Sequence, residues 1–235
     1  MRQEKLGIVT PLANEESSIN EFLDRVLPHL EKQDSIYCVL DNVCKDRTKE
    51  IIDERSKQDP RIKLIWAPEN RCAVDAYFRG YTEAYKDRCD WILEMDGGLS
   101  HRPEEIPRFI KAMQDGAEFA AGSRFCKGGK YINPGKRYLL SKGGTILSNL
   151  ILGTKMKDMT SGFECFNRNS MKHILDTGVK SKAHFFQTEI RFHLRKHKWK
   201  EVPITYSDPS KSVGSSNIKE AITNLWKLRQ TTKKD

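Results

Sequence analysis

No run of eighteen consecutive apolar residues occurs in this chain, so no transmembrane helix is encoded. The opening residues, Met1-Arg-Gln-Glu-Lys-Leu6, contain no apolar signal segment and lead straight into a strand pattern. Cysteines 38, 44, 72, 89, 126 and 165 show neither Cys-x-x-Cys spacing nor a paired framework. That disfavours structural zinc and disulfides, and reduced thiols in a cytosolic protein are expected. No internal repeat or linker divides the 235 residues, a length that fits one sizeable domain or one domain with an appendage. Acidic residues are missing from one stretch in particular. Residues 124–157 hold eight Lys or Arg and no Asp or Glu, nearly the whole of the net charge of +9. A block of one sign attracts anions: phosphates, an acidic membrane surface or nucleic acid. The same block contains a strongly apolar segment, 138–152, which a plain solvated face would not.

What is present is mostly alternation. Residues 6–10, 36–41, 62–67, 91–95 and 119–122 read as strands, and helical patterns at 16–30, 48–56, 74–85 and 104–114 lie between them. Strand and helix in turn imply a parallel sheet with right-handed crossovers, a Rossmann-like α/β domain. The second half is less regular. Residues 128–135 read as a loop, 138–152 as a helix, 168–175 and 187–196 as further helices, and 200–206 as a strand. Gly143-Gly144 inside the 138–152 helix costs roughly 1 kcal/mol per glycine, which points to close approach by another group. A polar loop, 207–217, precedes a basic amphipathic helix with Ile218, Ile222, Leu225 and Trp226 on one face. Such a stripe packs on the domain or lies on a membrane. The organisation expected is a catalytic unit over residues 1–217 and a basic helix and tail over 218–235.

One segment carries most of the chemistry: Trp91-Ile-Leu-Glu-Met-Asp96-Gly-Gly-Leu-Ser-His101-Arg-Pro103. An apolar strand delivers a single carboxylate, Asp96, to its C-terminal end, and Pro103 with Glu104 and Glu105 opens a helix. Open α/β sheets bind ligands at that end of their strands. The segment is read either as an ordinary strand-to-helix turn or as an acid holding a divalent metal against a diphosphate.

Five further segments line up around it in order. Thr10-Pro11-Leu-Ala-Asn14-Glu15, Asp41-Asn42-Val-Cys-Lys-Asp46, Gly122-Ser123-Arg124, Asp158-Met-Thr160-Ser161-Gly162 and Phe186-Gln187-Thr188-Glu189 together resemble the family 2 inverting glycosyltransferases. The group most similar is that of dolichol-phosphate mannosyltransferase and its bacterial polyprenyl-phosphate relatives, over about residues 6–217. The resemblance implies a GT-A fold, a mostly parallel sheet flanked by helices with a C-terminal extension on the acceptor side. It also implies donor contacts from Pro11, Asn14, Glu15, Asp41, Asn70, Asp96, Gly97 and Lys211. Asp96 would be the metal residue, for Mg2+ or Mn2+. Arg124, Arg137 and Ser141 would hold the acceptor phosphate, with Gln187 and Glu189 near the active centre. Four departures stand out. Gly98 replaces the second acid of the metal motif, Asn42 replaces the second acid of the paired-aspartate turn, and Asn217 replaces a final lysine. Cys72 stands where a glycine is usual. Glu94 is no obvious substitute for the acid at 98, since two residues back along a strand puts it about 7 Å from Asp96.

A lipid phosphate suits the basic block. Transfer to a hydroxyl needs a base, whereas a phosphomonoester with a second pKa near about 6 is already an anion at neutral pH. The expected partners are a nucleotide-diphosphate sugar, a polyprenyl phosphate, and a membrane surface or membrane partner protein. The expected site of action is cytoplasmic and peripheral on the membrane face. Two other functions compete: a soluble enzyme of the same family using a glycan hydroxyl, with Glu189 as base, and a non-catalytic nucleotide-sugar binder. Nucleic acid is not an expected partner, for the block lacks a binding motif and interleaved aromatics.

Overall fold

A computed structural model describes residues 2–132, 134–207 and 215–231. The first half runs β1 (Leu6–Pro11), α1 (Ile19–Val26), β2 (Ser35–Leu40), α2 (Thr48–Gln58), β3 (Ile62–Trp66), α3 (Ala73–Lys86), β4 (Trp91–Glu94), α4 (Ile106–Gln114) and β5 (Phe119–Ser123). The second half runs β6 (Lys130–Ile132), α5 (Lys136–Leu152), β7 (Glu164–Asn167), α6 (Arg168–Thr177), α7 (Phe186–His193), β8 (Trp199–Pro203), β9 (Thr205–Ser207) and α8 (Ser215–Thr231).

Seven strands form one sheet in the order β3-β2-β1-β4-β7-β5-β8. β1, β2 and β4 are buried almost throughout, because helices cover both faces of a parallel sheet. β7 alone runs antiparallel to its neighbours β4 and β5. The chain winds outward from β1 through β2 to β3, then returns to place β4 on the other side of β1. That reversal opens a crevice beyond the C-terminal ends of β1 and β4, the place where α/β sheets take ligands. α3 lies against β1 so closely that a Cβ at Gly80 would collide with Val9.

The strands of the first half follow the apolar runs to within a residue or two at each end. Helix 16–30 is shorter than its pattern: α1 ends at Val26, and Leu27–His29 continues as a 3-10 turn around Pro28. Three features of the second half differ from expectation. The segment read as a loop over 128–135 contains β6, which pairs in parallel with β9. The single strand expected over 200–206 breaks at Ile204 into β8 and β9, because the two ends pair with different partners. β7 has no counterpart in the sequence reading. Its four residues are too few to show a period, and pairing between two strands distant in sequence defines it.

α8 packs on the domain along part of its apolar stripe and leaves the rest open. Leu225 and Leu228 are buried with Leu152, Phe185 and Phe192, while Ile222 and Trp226 stay exposed. No helix among the described residues is long and apolar enough to cross a membrane.

Gly80→Ala is expected to destabilise the domain by about 1–3 kcal/mol, since the added methyl must displace β1 or α3. Urea unfolding with an unchanged m-value and a lowered midpoint is the readout.

Candidate active site

Loops after β1, β2 and β3 build a shelf, and the loop after β4 carries the acid. On the shelf, Asn14 adopts a left-handed backbone (φ 59°) and clips the neighbouring loop, accepting from the Lys45 N–H at 2.8 Å and donating to the Val43 carbonyl at 3.1 Å. Asp41 accepts from the Val43 N–H at 2.9 Å, and the Asn42 amide donates to the Pro68 carbonyl at 3.0 Å. The side-chain nitrogen of Asn70 is buried with no partner among the described residues. Cys72 has extended backbone (φ −159°) at the start of α3, so the position does not require glycine. Lys211 and Asn217 are not among the residues whose side chains are described.

Asp96 is held on every side yet open to the crevice. Its carboxylate accepts from the Tyr77 hydroxyl at 2.8 Å and from the Ser100 hydroxyl at 3.0 Å, and 42 % of the side chain remains exposed. Burial opposes its charge, but His101, the two hydroxyl donors and Arg137 outweigh it and hold the carboxyl below the usual range. The Asp96 N–H donates to His101 Nδ1 at 3.1 Å, and burial lowers the pKa of that imidazole. With Nδ1 accepting, the neutral form of His101 is the tautomer with its proton on Nε2. Leu99 holds the turn in a left-handed conformation (φ 59°), strain of the kind concentrated at working sites.

The paired glycines of this turn serve the protein's own packing. A Cβ at Gly97 would collide with Leu12, so packing alone already calls for glycine there. A Cβ at Gly98 would lie 3.1 Å from Glu15 Oε1, so a carboxylate from the β1 loop stands beside the position that lacks one. The glycines of α5 likewise meet no close neighbour. Gly143 faces open space, and Gly144 has only Thr160, at 3.7 Å from its would-be Cβ. Both line a groove instead.

The cations come from the other side. Arg124, at the end of β5, is 5 % exposed and forks onto Asp158 through Nε (2.8 Å) and Nη2 (2.9 Å). Its Nη2 also reaches Thr160 at 2.6 Å, and Nη1 lies 3.4 Å from the Ser141 hydroxyl. Burial would raise the Asp158 pKa, but the Arg124 charge and hydrogen bonds dominate and bring it down to about 2. Arg137, on α5, lies over the Tyr206 ring with its guanidinium carbon 5.7 Å from the ring centre.

Beneath these residues is a fully buried charged layer. Arg191 pairs with Glu164 at 2.6 Å and donates to the carbonyls of Gly122 and Ser161 at 3.0 Å each, and to that of Asp158. Glu94 receives the Gln187 amide and pairs with the Tyr81 hydroxyl. Burial, then the charge of Glu164, pushes its carboxyl well above the usual range. Gln187 thus faces the crevice from a fixed base, while Glu189 is engaged elsewhere. Its carboxylate accepts the backbone N–H of Lys180 at 3.0 Å and of Ser181 at 2.8 Å, and it does not line the crevice.

Pro11, Asp96, Arg124, Arg137 and Gln187 come together around one polar cavity of about 410 Å³. A second, apolar groove of about 340 Å³ runs from it between α5 and α8, lined by Leu139, Leu140, Leu147, Phe185, Ile222 and Leu225 among others. Ser141 lies in this groove, and four residues, Arg124, Arg137, Thr160 and His184, line both spaces. Asn14, Glu15, Asp41 and Asn70 form the adjoining shelf and do not line the polar cavity. Lys182 and Ala183 are among the lining residues that the sequence reading did not single out. They stand between α6 and α7 in no motif, and only the packing of α7 beside α3 brings them in.

A twisted, mostly parallel sheet that presents an acid beyond β4 and arginines beyond β5, with helices on both faces, defines a glycosyltransferase of the GT-A kind. The model of the family described as Glycosyl transferase family 2 matches residues 7–175. The chain belongs to that family. It is 28 % identical to the undecaprenyl-phosphate mannosyltransferase of Micrococcus luteus, with 94 % of this chain and 93 % of that one aligned. It is 30 % identical to the polyprenol monophosphomannose synthase of Mycolicibacterium smegmatis (94 % and 86 %). It is 31 % identical to the dolichol-phosphate mannosyltransferase of Pyrococcus furiosus (95 % and 63 %). Among solved structures it shares its fold with glucosyl-3-phosphoglycerate synthase from Mycobacterium tuberculosis bound to UDP. The TM-score is 0.70 at 13 % identity, covering 97 % of this chain and 81 % of that one. The same protein has been crystallised with Mn2+, UDP and phosphoglyceric acid (TM-score 0.69, 14 % identity, 97 % and 79 % covered).

The Asp158 carboxyl is depressed, so its contribution to stability is complete above its ordinary value of 3.8 and is lost as pH falls towards about 2. Denaturant unfolding between pH 5 and 2 is expected to show this loss in the wild type, and Asp158→Asn is expected to flatten that part of the profile.

Proposed function

We propose that this glycosyltransferase moves a hexose from a nucleoside-diphosphate sugar to the phosphate of a polyprenyl phosphate, with inversion at the anomeric carbon. The observation that carries this reading is the wall of Arg124, Arg137, Thr160 and His184 shared by the polar cavity and the apolar groove. A molecule with an anionic head and a hydrocarbon tail fills both spaces at once, head at the arginines and tail between α5 and α8. The names of the three relatives, which speak of undecaprenyl phosphate, polyprenol and dolichol phosphate, support the same acceptor.

The chemistry asks little of the protein beyond placement. A phosphate oxygen of the acceptor attacks the anomeric carbon, the bond from that carbon to the diphosphate breaks, and its electron pair leaves with the nucleoside diphosphate. The attacking oxygen is already anionic, so no proton has to move and no base is needed. This agrees with Glu189 being committed to backbone N–H groups. Arg137 and Arg124 orient the acceptor anion. Asp41, Asn14, Glu15 and Asn70 on the shelf, with Pro11 and Gly97, take the nucleoside.

A divalent cation fits the donor side in a reduced form. Asp96 opens to the cavity with free lone pairs, and Glu15 stands beside Gly98, but no cluster of three acid, His or Cys side chains exists among the described residues. Mg2+ commonly uses one or two carboxylates and fills its shell with water and substrate phosphates. Asp96 would hold such an ion, which would balance charge on the diphosphate.

The enzyme acts as a peripheral protein on the cytoplasmic membrane face, with residues 1–217 as the catalytic unit and the basic C-terminal helix on the membrane side. Leu139, Ile146 and Leu150 of α5 and Trp226 of α8 are exposed, Leu150 by 77 % and Trp226 by 57 %, beside the Lys and Arg of the 124–157 block. Apolar side chains flanked by cations suit an anionic lipid surface.

Arg137→Ala is expected to lower kcat/KM for a polyprenyl phosphate about a hundredfold, on the scale of losing one charge-stabilising donor. Radiolabelled-sugar transfer to a short-chain polyprenyl phosphate measures it. Transfer to a free glycan hydroxyl that survives this change and is abolished by Glu189→Ala would refute the acceptor assignment. Flotation with vesicles containing anionic lipid is expected to recover the wild type, and Leu150→Glu with Trp226→Glu to remain at the bottom of the gradient.

A further inference from the structure

The loop between α6 and α7, residues 178–185, belongs to no motif, and apart from His184 at the shared wall the reaction described above gives it no task. Yet its backbone is clamped by carboxylates from two helices. Glu189 of α7 takes the N–H groups of Lys180 and Ser181. Glu220 of α8 takes the Lys182 N–H and the Ser181 hydroxyl, both at 2.9 Å. Charge-assisted bonds of this kind are the strong ones, so residues 180–182 are held in a fixed place. From that place Lys182 lines the polar cavity together with Asp96, Arg124 and Arg137.

Three further observations single Lys182 out. No carboxylate among the described residues pairs with its ammonium, whereas Arg124 has its charge matched by buried Asp158. Lys182 lines only the polar cavity and not the apolar groove, while His184, two residues on, lines both. It therefore lies on the side of Pro11, Ala73 and Asp96, the donor side, and away from the acceptor's tail. Finally, this is the side where the chain has glycine at 98 in place of an acid. A donor pocket with one acid fewer offers less charge to hold a metal, and a cation supplied by the protein offsets that loss.

We propose that Lys182 is a donor-binding residue whose ammonium contacts the diphosphate of the nucleotide sugar and stabilises the charge that this group gains as it departs. The proposal rests on the donor half of the function given above. When the bond to the anomeric carbon breaks, its electron pair goes to the bridging oxygen, and the diphosphate becomes more negative by one charge. A preplaced ammonium acts on that developing charge without reorganising. Lysine serves here as a point charge, so the contact is one of charge more than of shape. Glu220 is a positioning residue for it, which ties α8 to the donor pocket through the loop.

Calorimetric titration of GDP and UDP, with EDTA and with Mg2+, tests this on the full chain. The wild type is expected to bind at least one of the two. Lys182→Ala is expected to weaken that affinity about tenfold in EDTA, and Lys182→Arg to keep it within about threefold. In steady state the loss in Lys182→Ala should fall on the nucleotide-sugar KM and kcat, with the polyprenyl phosphate KM unchanged. Glu220→Ala should weaken diphosphate binding by less, and the double variant should be no weaker than Lys182→Ala alone, as expected when one residue acts through the other. Wild-type affinity in Lys182→Ala under both conditions overturns the proposal while leaving the transferase reading intact, as does a defect confined to the acceptor KM. Weakened diphosphate binding in a protein that transfers no sugar to polyprenyl phosphate would uphold Lys182 and sink that reading. Failure of the wild type to bind either nucleotide would sink both.

Discussion

Asp158 and Arg124 form the pair on which the site depends. Both are almost wholly removed from water, and each would be costly there alone, by several kcal/mol in a protein interior. Their fork geometry recovers that cost and fixes more than itself. Asp158 also accepts the Arg124 backbone N–H at 3.0 Å, so the end of β5 and the segment before β7 are joined at the same carboxylate. Arg191 then binds the Asp158 carbonyl from below and is itself neutralised by Glu164. A buried ladder of two arginines and two acids thereby sets where the arginine edge, Thr160 and Ser141 can stand. The shared wall between cavity and groove is the upper surface of that ladder.

The two spaces meeting at this wall differ in what they offer a ligand. On the polar side are hydroxyls, a carboxylate held low and an imidazole whose pKa burial lowers; on the apolar side are leucines, a phenylalanine and open glycine backbone. The glycines at 143 and 144 make sense in this light. Side chains there would narrow the groove without meeting protein, so the helix accepts their cost in propensity to keep the space clear. Exposed apolar residues continue from the groove along α5 and α8, so the surface around its mouth is itself suited to lipid.

Much of the site was legible because it is written in short segments. Asp96 could be placed by an apolar strand and a proline-led turn, and Arg124 and Arg137 by a basic block without acids. Position in the chain says less about where a side chain points. Gln187 and Glu189 stand two residues apart on one helix, yet one faces the cavity and the other a loop behind it. That the glycine at 97 makes room for Leu12 is likewise visible only in the packed structure. Lys182 had no signal at all, because the residues that line the cavity with it include members of α3, the loop after β4 and α5.

By itself the sequence determined the alternating α/β order, the strand end that carries Asp96, the sign of the charge in residues 124–157 and the absence of a long apolar run. Each of these follows from local composition or period, which a chain displays before it folds. Only the tertiary structure decided the antiparallel β7, the split of the last strand into β8 and β9, the buried ladder and the clamp that brings Lys182 forward. These depend on pairing between segments far apart in sequence, where burial makes each charge demand a partner, and no local pattern records which partner that is.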